Sequence, residues 1–268
     1  MSGEDAPVLD DDAPRDETAG GRAVAGLGRS EAGMTEDLLT LQVWLSPAFP
    51  VGGFTYSHGL EWAIEAGDVT SAATLEAWLR DVLTHGAGRS DAIFLAQAHA
   101  AAEAGDLDRL AEVIELAAAF QPTRERRLEA TAQGAAFVRA VSDTWDDGRF
   151  ADLVGRLASR FPRPLFETVP WTYAVAVGVA AAVAGIARAA VLPAHGQAFA
   201  ANVISAGVRA VPLGQSDGLR VLRRLAPVVR RIARDAATAS LDDVGGAAIR
   251  ADIASMKHET QYTRLFRS

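Results

Sequence analysis

Cysteine is absent from this 268-residue sequence. That excludes disulfides, zinc–thiolate centres and thiol nucleophiles together, and makes a reducing compartment, the cytoplasm, the expected setting. Lysine is nearly absent: Lys257 is the single one among 26 basic residues, and the others are arginine. A phosphate-binding P-loop needs a lysine directly after its glycine loop, whereas Lys257 stands in Ser255-Met256-Lys257-His258. The chain therefore does not hold ATP or GTP in the P-loop manner. A basic excess is also missing, because the net charge is -8, and this argues against a nucleic-acid binder. Residues 1–33 carry eight acidic groups against three arginines, a net -5 that leaves -3 of the -8 for the remainder. Long apolar runs are scarce too. "WTYAVAVGVAAAVAGIARAAV" (171–191) is built mainly of Ala, Val and Gly and is interrupted by Arg188. A membrane span needs ~20 strongly apolar residues. Small residues favour close helix–helix approach instead, so a central core helix is expected and no membrane.

What is present is helical periodicity. Leu38, Leu41 and Leu45 recur at helix spacing before Pro47, and Thr70 or Ser71 caps a segment carrying Leu75, Trp78, Leu79 and Val82. Ser90 opens another that ends near Gly105, and Asp106 begins the next. Residues 123–145 and 149–160 continue the pattern up to the breaker "FPRP" at 161–164. Alternating β-branched runs between turn signals are not found, so few or no strands are expected. The expected architecture is all-α: a single helical domain of about ten helices. Residues 1–33, rich in Asp, Gly, Ala and Pro, read as a disordered acidic extension without the basic start and apolar run of a secretory signal.

Chemistry-bearing residues do not converge. "SPAFPVGGFTYSHGLEW" (46–62) forces a rigid loop through two prolines and two glycines, and "TYSHGLEWAIEAG" reads as a short helix. The Gly-Gly pair suits either a tight helix–helix corner or an anion at a helix start, the corner being better supported because no phosphate partner is in register. Ser57 and His58, as neighbours on a helix, diverge by about 100° and cannot act as nucleophile and base. His85, His99 and His195 are solitary, and "HET" (258–260) lacks the second histidine of H-E-x-x-H. No catalytic, cofactor or metal site is expected. The clearest physical signal is "LRVLRRLAPVVRRIAR" (219–234). At 100° per residue, Arg220, Arg223, Arg224, Arg230, Arg231 and Arg234 fall within an arc of about 120°, opposite Leu222, Leu225, Val229 and Ile232. This is either a solvated surface face or a docking face for an acidic partner. Pro227 lies on the arginine side, where a kink or restart is expected.

The chain ends in "ASMKHETQYTRLFRS" (254–268), in which Tyr262, Leu265 and Phe266 stand among Lys257, Arg264 and Arg267. This ending, with Ser46-Pro47 through Glu61 and "VPLGQSDGLRVL" (211–222), resembles the urease accessory protein UreF family. Its patterns S-P-x-x-P-V-G-G-[FY]-[ST]-x-S-x-G-L-E, V-P-L-G-Q-[ST]-x-G-x-x-x-L and A-S-M-x-H-E-x-Q-Y-[ST]-R-L-F-x-S are met in order from about Leu38 to Ser268. The resemblance implies a dimeric, all-helical, non-catalytic assembly factor without cofactor. It would bridge the scaffold protein UreD (UreH in some organisms) and the GTPase UreG, dock on apo-urease and couple GTP hydrolysis to nickel insertion. A rival is a GTPase-activating protein that supplies an arginine finger to UreG from the 220–234 helix or from Arg264. The resemblance divides the chain into the extension 1–33, a helical domain 34–252 and a partner-docking tail 253–268. It implies partner-binding roles for Phe54, Tyr56, Glu61, Tyr262, Arg264 and Phe266. The tail would order when the UreD-like partner binds, with Arg264 and Tyr262 fixing the Gly52-Gly53-Phe54 loop, and Glu61 would gate the GTPase. Packing of the tail on its own domain is the alternative.

Overall fold

At the centre lies a helix with almost no polar surface. In this computed structural model, which describes residues 31–161, 168–211 and 213–268, that helix is α8, Tyr173–Val183. All eight residues from Ala174 to Ala181 are buried. Such a helix is stable only when wrapped on every side, and α8 packs against α4 (Ala87–Ala104), α5 (Leu107–Ala119), α6 (Arg124–Thr144), α7 (Arg149–Ala158) and α9 (Arg188–Ala210). Small residues set the distance of approach. A Cβ at Gly178 would come within 2.5 Å of the Leu95 carbonyl oxygen on α4, so that crossing requires glycine.

The remaining helices are α1 (Glu31–Trp44), α2 (Leu60–Glu65), α3 (Ala72–His85), α10 (Gln215–Ala236) and α11 (Ile249–His258). Short 3-10 turns at Gly53–Thr55 and Leu241–Asp243 complete an all-α fold with no strand among the described residues. α10 lies along α9 and α3, α1 lies on α9, and α11 packs on α2 and α6.

The caps follow the expected chemistry. Ser71 opens α3 with a capping box to Thr74, and the Asp106 and Thr123 side chains accept from the amides of Arg109 and Arg126 at the starts of α5 and α6. Four local readings are corrected. α4 begins at Ala87 rather than Ser90, whose hydroxyl instead bonds the Gly245 carbonyl at 3.2 Å. The 171–191 stretch is two helices: α8 ends at Val183, Gly185 is left-handed at φ 72°, and α9 starts at Arg188. α10 runs through Pro227 without a restart, because the proline faces solvent while Val221, Leu225, Val229 and Ile232 anchor the buried side. Residues 31–33 belong to α1; residues 1–30, Pro162 to Pro164 of the breaker and Pro212 lie outside the described residues. No helix among the described residues is long and apolar enough to cross a membrane.

Candidate partner-docking site

The loop after α1 sets the geometry of this region. Gly53–Thr55 forms a 3-10 turn, Tyr56 is extended, and His58 and Gly59 are left-handed, at φ 60° and φ 76°. α2 starts only at Leu60, so Ser57 and His58 are not on a helix, in contrast to the sequence reading; the two left-handed residues break it. Gly59 also lies against α11, where a Cβ would sit 3.0 Å from the Ser255 amide nitrogen. Ser57 and His58 still do not pair with each other. The Ser57 amide donates to the Ser268 carbonyl oxygen at 2.7 Å, and its hydroxyl donates to the same oxygen. His58 turns instead to Glu129, 3.5 Å away.

These loop atoms receive the tail. Residues 259–268 lie across α2 and α6, held by carboxylates from both helices. Glu61 accepts the Leu265 amide at 2.6 Å and the Phe266 amide at 3.0 Å. Glu125 accepts the Arg264 guanidinium at 2.7 Å. His258, with no solvent exposure, stands between these two acids, Nε2 3.0 Å from Glu61 and Nδ1 2.6 Å from Glu125. Further along, the Arg267 amide donates to the Thr55 carbonyl at 2.8 Å, and the Ser268 hydroxyl donates to Glu129. Bonds from charged acceptors to backbone amides are stronger than neutral ones, which is why so short a segment stays seated.

The tail is thus docked on its own domain within a single chain. In the single chain the loop has other partners. Arg264 reaches Glu125 and not the Gly52-Gly53-Phe54 loop, and Tyr262 is fully exposed. The loop is fixed from α9: Asn202 donates to the Gly53 carbonyl at 3.1 Å, and Arg209 donates to the Phe54 carbonyl at 2.9 Å. The Arg209 guanidinium lies 3.7 Å from the Phe54 ring centroid and 4.5 Å from that of Phe266. Among the sequence candidates, Tyr56, Glu61 and Phe266 are buried, and Phe54, Tyr262 and Arg264 are exposed. Tyr56 is hydrogen-bonded by Arg267, and burial pushes its hydroxyl above the ordinary phenol value. The tail boundary set at residue 253 falls inside α11.

Beneath the tail, Glu129 and Arg126 form a buried ion pair. Burial pushes the Glu129 carboxyl up, but Arg126, His58 and the Ser268 hydroxyl together hold it far below the usual range. Burial, reinforced by Arg126, lowers His58 to about 4. Asp91 is raised to about 6 by burial, against the pull of Arg126. His58, Asp91, Arg126 and Asp252 face a cavity of about 260 Å³. Clusters of three or more His, Asp or Glu able to hold a metal ion are not found among the described residues.

The six arginines of α10 are all exposed. Arg220 pairs with Asp217 at 2.7 Å and Arg224 with Glu76 at 2.5 Å. Arg223, Arg230, Arg231 and Arg234 have no ion pair among the described residues. Exposed apolar side chains also occur in α11 (Ile249, Ile253 and Met256) and in the tail (Tyr262 and Leu265). Sequence reasoning missed Glu125, Glu129, Asn202 and Arg209, which carry no motif signal, and treated His258 only as a failed metal motif.

The sequence profile described as UreF matches residues 69–226. A relative from Bradyrhizobium sp. strain BTAi1, named "Urease accessory protein UreF", is 53% identical over 88% of this chain and 96% of its own length. Relatives with the same name from Rhodopseudomonas palustris strain HaA2 and Azorhizobium caulinodans are 51% and 48% identical, covering 92% and 89% of this chain and 99% of each relative. With the profile match and identity near one half along almost the whole length, this chain belongs to the UreF family.

Proposed function

We propose that the chain is a non-catalytic factor in urease maturation, a cytoplasmic homodimer that bridges a UreD/UreH-type scaffold and the GTPase UreG on apo-urease. In that assembly it couples GTP hydrolysis to nickel insertion. The observation that carries this reading is the two-sided tail: Phe266 is packed inward while Tyr262 and Leu265 are exposed. Exposed aromatic and aliphatic side chains on an ordered scaffold are what a protein partner buries. The name that the relatives carry, urease accessory protein, supports a role in urease maturation. Glu61 has its carboxylate engaged by the tail and His258. Its influence on the GTPase therefore runs through the position of the tail rather than through proton transfer.

The test is co-expression with the UreD homologue of the same source, followed by size-exclusion chromatography with light scattering. The full chain is compared with one ending at Thr260. Co-elution of the full chain alone supports the tail as docking element. Co-elution of both moves the partner surface off the tail, and binding by neither rejects the assembly reading.

A second reading, an arginine finger acting on UreG, is favoured by the four unpaired arginines of α10. Arg264 suits it less, because Glu125 already holds it. A true finger raises hydrolysis ~10³-fold or more, so a rate increase of that size lost on a single α10 Arg→Ala change would establish it. A modest increase spread over several arginines would leave a docking face.

A further inference from the structure

The arginine face of α10 is only partly matched by its own domain. Six arginines against Asp217 and Asp235 give this helix a net +4 in a chain of net -8. Asp217 holds Arg220 and Glu76 holds Arg224, while Arg223, Arg230, Arg231 and Arg234 have no ion pair among the described residues. Along the helix the six form two groups, Arg220, Arg223 and Arg224, then Arg230, Arg231 and Arg234, with uncharged residues 225–229 between. At 1.5 Å per residue the group centres lie about 14 Å apart. The densest acidic run of the chain is "DDDAPRDE" (10–17), outside the described residues. It too has two groups, Asp10, Asp11 and Asp12, then Asp16 and Glu17, and its one basic residue, Arg15, falls between them. A chain spans at most ~3.3 Å per residue, so the acidic groups can stand up to about 18 Å apart, enough to reach both arginine groups. The path is also short enough. Met34, Leu38 and Leu41 of α1 share a groove with Ala187, Ala190 and Ala194 of α9. α10 runs antiparallel to α9: a Cβ at Gly218 would sit 3.0 Å from the Ile204 and Val208 side chains, and one at Gly196 would sit 3.0 Å from Val229. The second arginine group therefore lies beside the half of α9 that carries the start of α1. Residues 18–30 join Glu17 to α1 and can span up to about 46 Å, more than the ~34 Å length of α9.

We propose that residues 10–17 dock on the arginine face of α10 in the same chain, one acidic group on each arginine group, and mask that face until a more acidic surface displaces them. Arginine engages carboxylates through paired, charge-assisted bonds. A tethered segment needs only weak contacts, because its linker keeps it at a high effective concentration. Exposed ion pairs are individually weak and are screened by salt, so the mask is reversible. The consequence for assembly, that a partner must compete with this segment, rests on the docking reading of α10 above; the contact within the chain does not.

Because the chain has no cysteine, a single label can be placed cleanly. Ala13→Cys in the full chain carries a nitroxide between the two acidic groups, and paramagnetic broadening of backbone amides reports what lies near it. The amides of residues 220–234 should be broadened more than those of any other helix. This broadening should fall at least about threefold between about 0.01 M and about 1 M salt, as the screening length shrinks from about 30 Å to about 3 Å. Replacing Asp10, Asp11, Asp12 and Asp16 with Asn and Glu17 with Gln should abolish it, and these substitutions lie outside the helical domain, so the fold is kept. Arg230→Glu with Arg231→Glu should weaken it from the other side. Broadening spread evenly, centred on another element, or indifferent to both sets of substitutions overturns the mask. So does broadening of an unlabelled ¹⁵N chain mixed with labelled chain, which would place the segment on a second copy. These readouts use the chain alone, so failure to bind a partner would not count against the mask, nor its failure against the assembly reading.

Discussion

Replacing Glu61 with alanine should free the tail without unfolding the domain. The carboxylate accepts three bonds, from the Leu265 amide at 2.6 Å, the Phe266 amide at 3.0 Å and the His258 ring at 3.0 Å. Each bond to a charged group is worth roughly 1.5–3 kcal/mol. The three share one acceptor and do not add, but leaving all three donors unpartnered costs more than ~3 kcal/mol. Burial of Phe266 offers about 1.5–3 kcal/mol to keep residues 265–266 in place, while Arg264, Arg267 and Ser268 keep their own bonds on either side. The lower free-energy path is for the segment around Leu265 and Phe266 to lift away, so that its amides bond to water. Helices α3 to α10 share no bond with Glu61, so the melting temperature should fall only a few degrees, given ~2–4 °C per kcal/mol for a domain of this size. Limited trypsin digestion followed by mass spectrometry reads the outcome at Arg264 and Arg267. Cleavage should be at least about tenfold faster in Glu61→Ala, with Glu61→Gln between it and wild type. Equal cleavage rates in all three would refute the clamp.

Further expectations concern the core, acid stability and the basic face. Gly178→Ala should destabilise by about 1–3 kcal/mol or more, because its Cβ would meet the Leu95 backbone oxygen at 2.5 Å and two helices must part; calorimetry giving an unchanged melting temperature would contradict the α4–α8 crossing. His58 and His195 are buried and held neutral, each lowered to about 4 chiefly by burial. A lowered base binds its proton more readily when unfolded, so stability should be lost as pH falls from about 6.5 to about 4, by roughly 3 kcal/mol per histidine. Asp91, raised to about 6, opposes this with a gain of about 3 kcal/mol over nearly the same interval. The net loss should appear as a falling melting temperature between pH 7 and pH 4.5, reduced in His195→Gln, and a flat profile would refute the burial argument. Arg230→Glu with Arg231→Glu should leave stability within about 0.5 kcal/mol, as for exposed side chains. If α10 docks an acidic surface, the pair should weaken UreG or UreD binding about tenfold or more at low salt, measured by titration calorimetry, and a full-strength complex would return this face to solvent.

The local code was legible in this sequence. Hydrophobic spacing alone marked the buried sides of α3 and α10, and the signals at Ser71 and Asp106 marked the starts of α3 and α5, since both depend on residues within a turn of one another. The six arginines of α10 are exposed as their arc required, because a helix fixes angular position whatever surrounds it. Segments whose shape is set by what they touch were misread. The break at Gly185 falls between two stretches that are equally apolar, and the left-handed pair His58-Gly59 is shaped by the approach of α11. The tail site was the least legible. Glu61 and His258 are 197 residues apart, and Glu125 lies in an ordinary charged helix start. A polar side chain gives no periodic sign of its partner, and which carboxylates meet over one imidazole is decided only when α2, α6 and α11 cross. Sequence therefore determined the helices, their faces and the family; tertiary packing decided that the tail is held by a histidine between two acids, because long-range polar contacts follow from helix crossings and not from spacing along the chain.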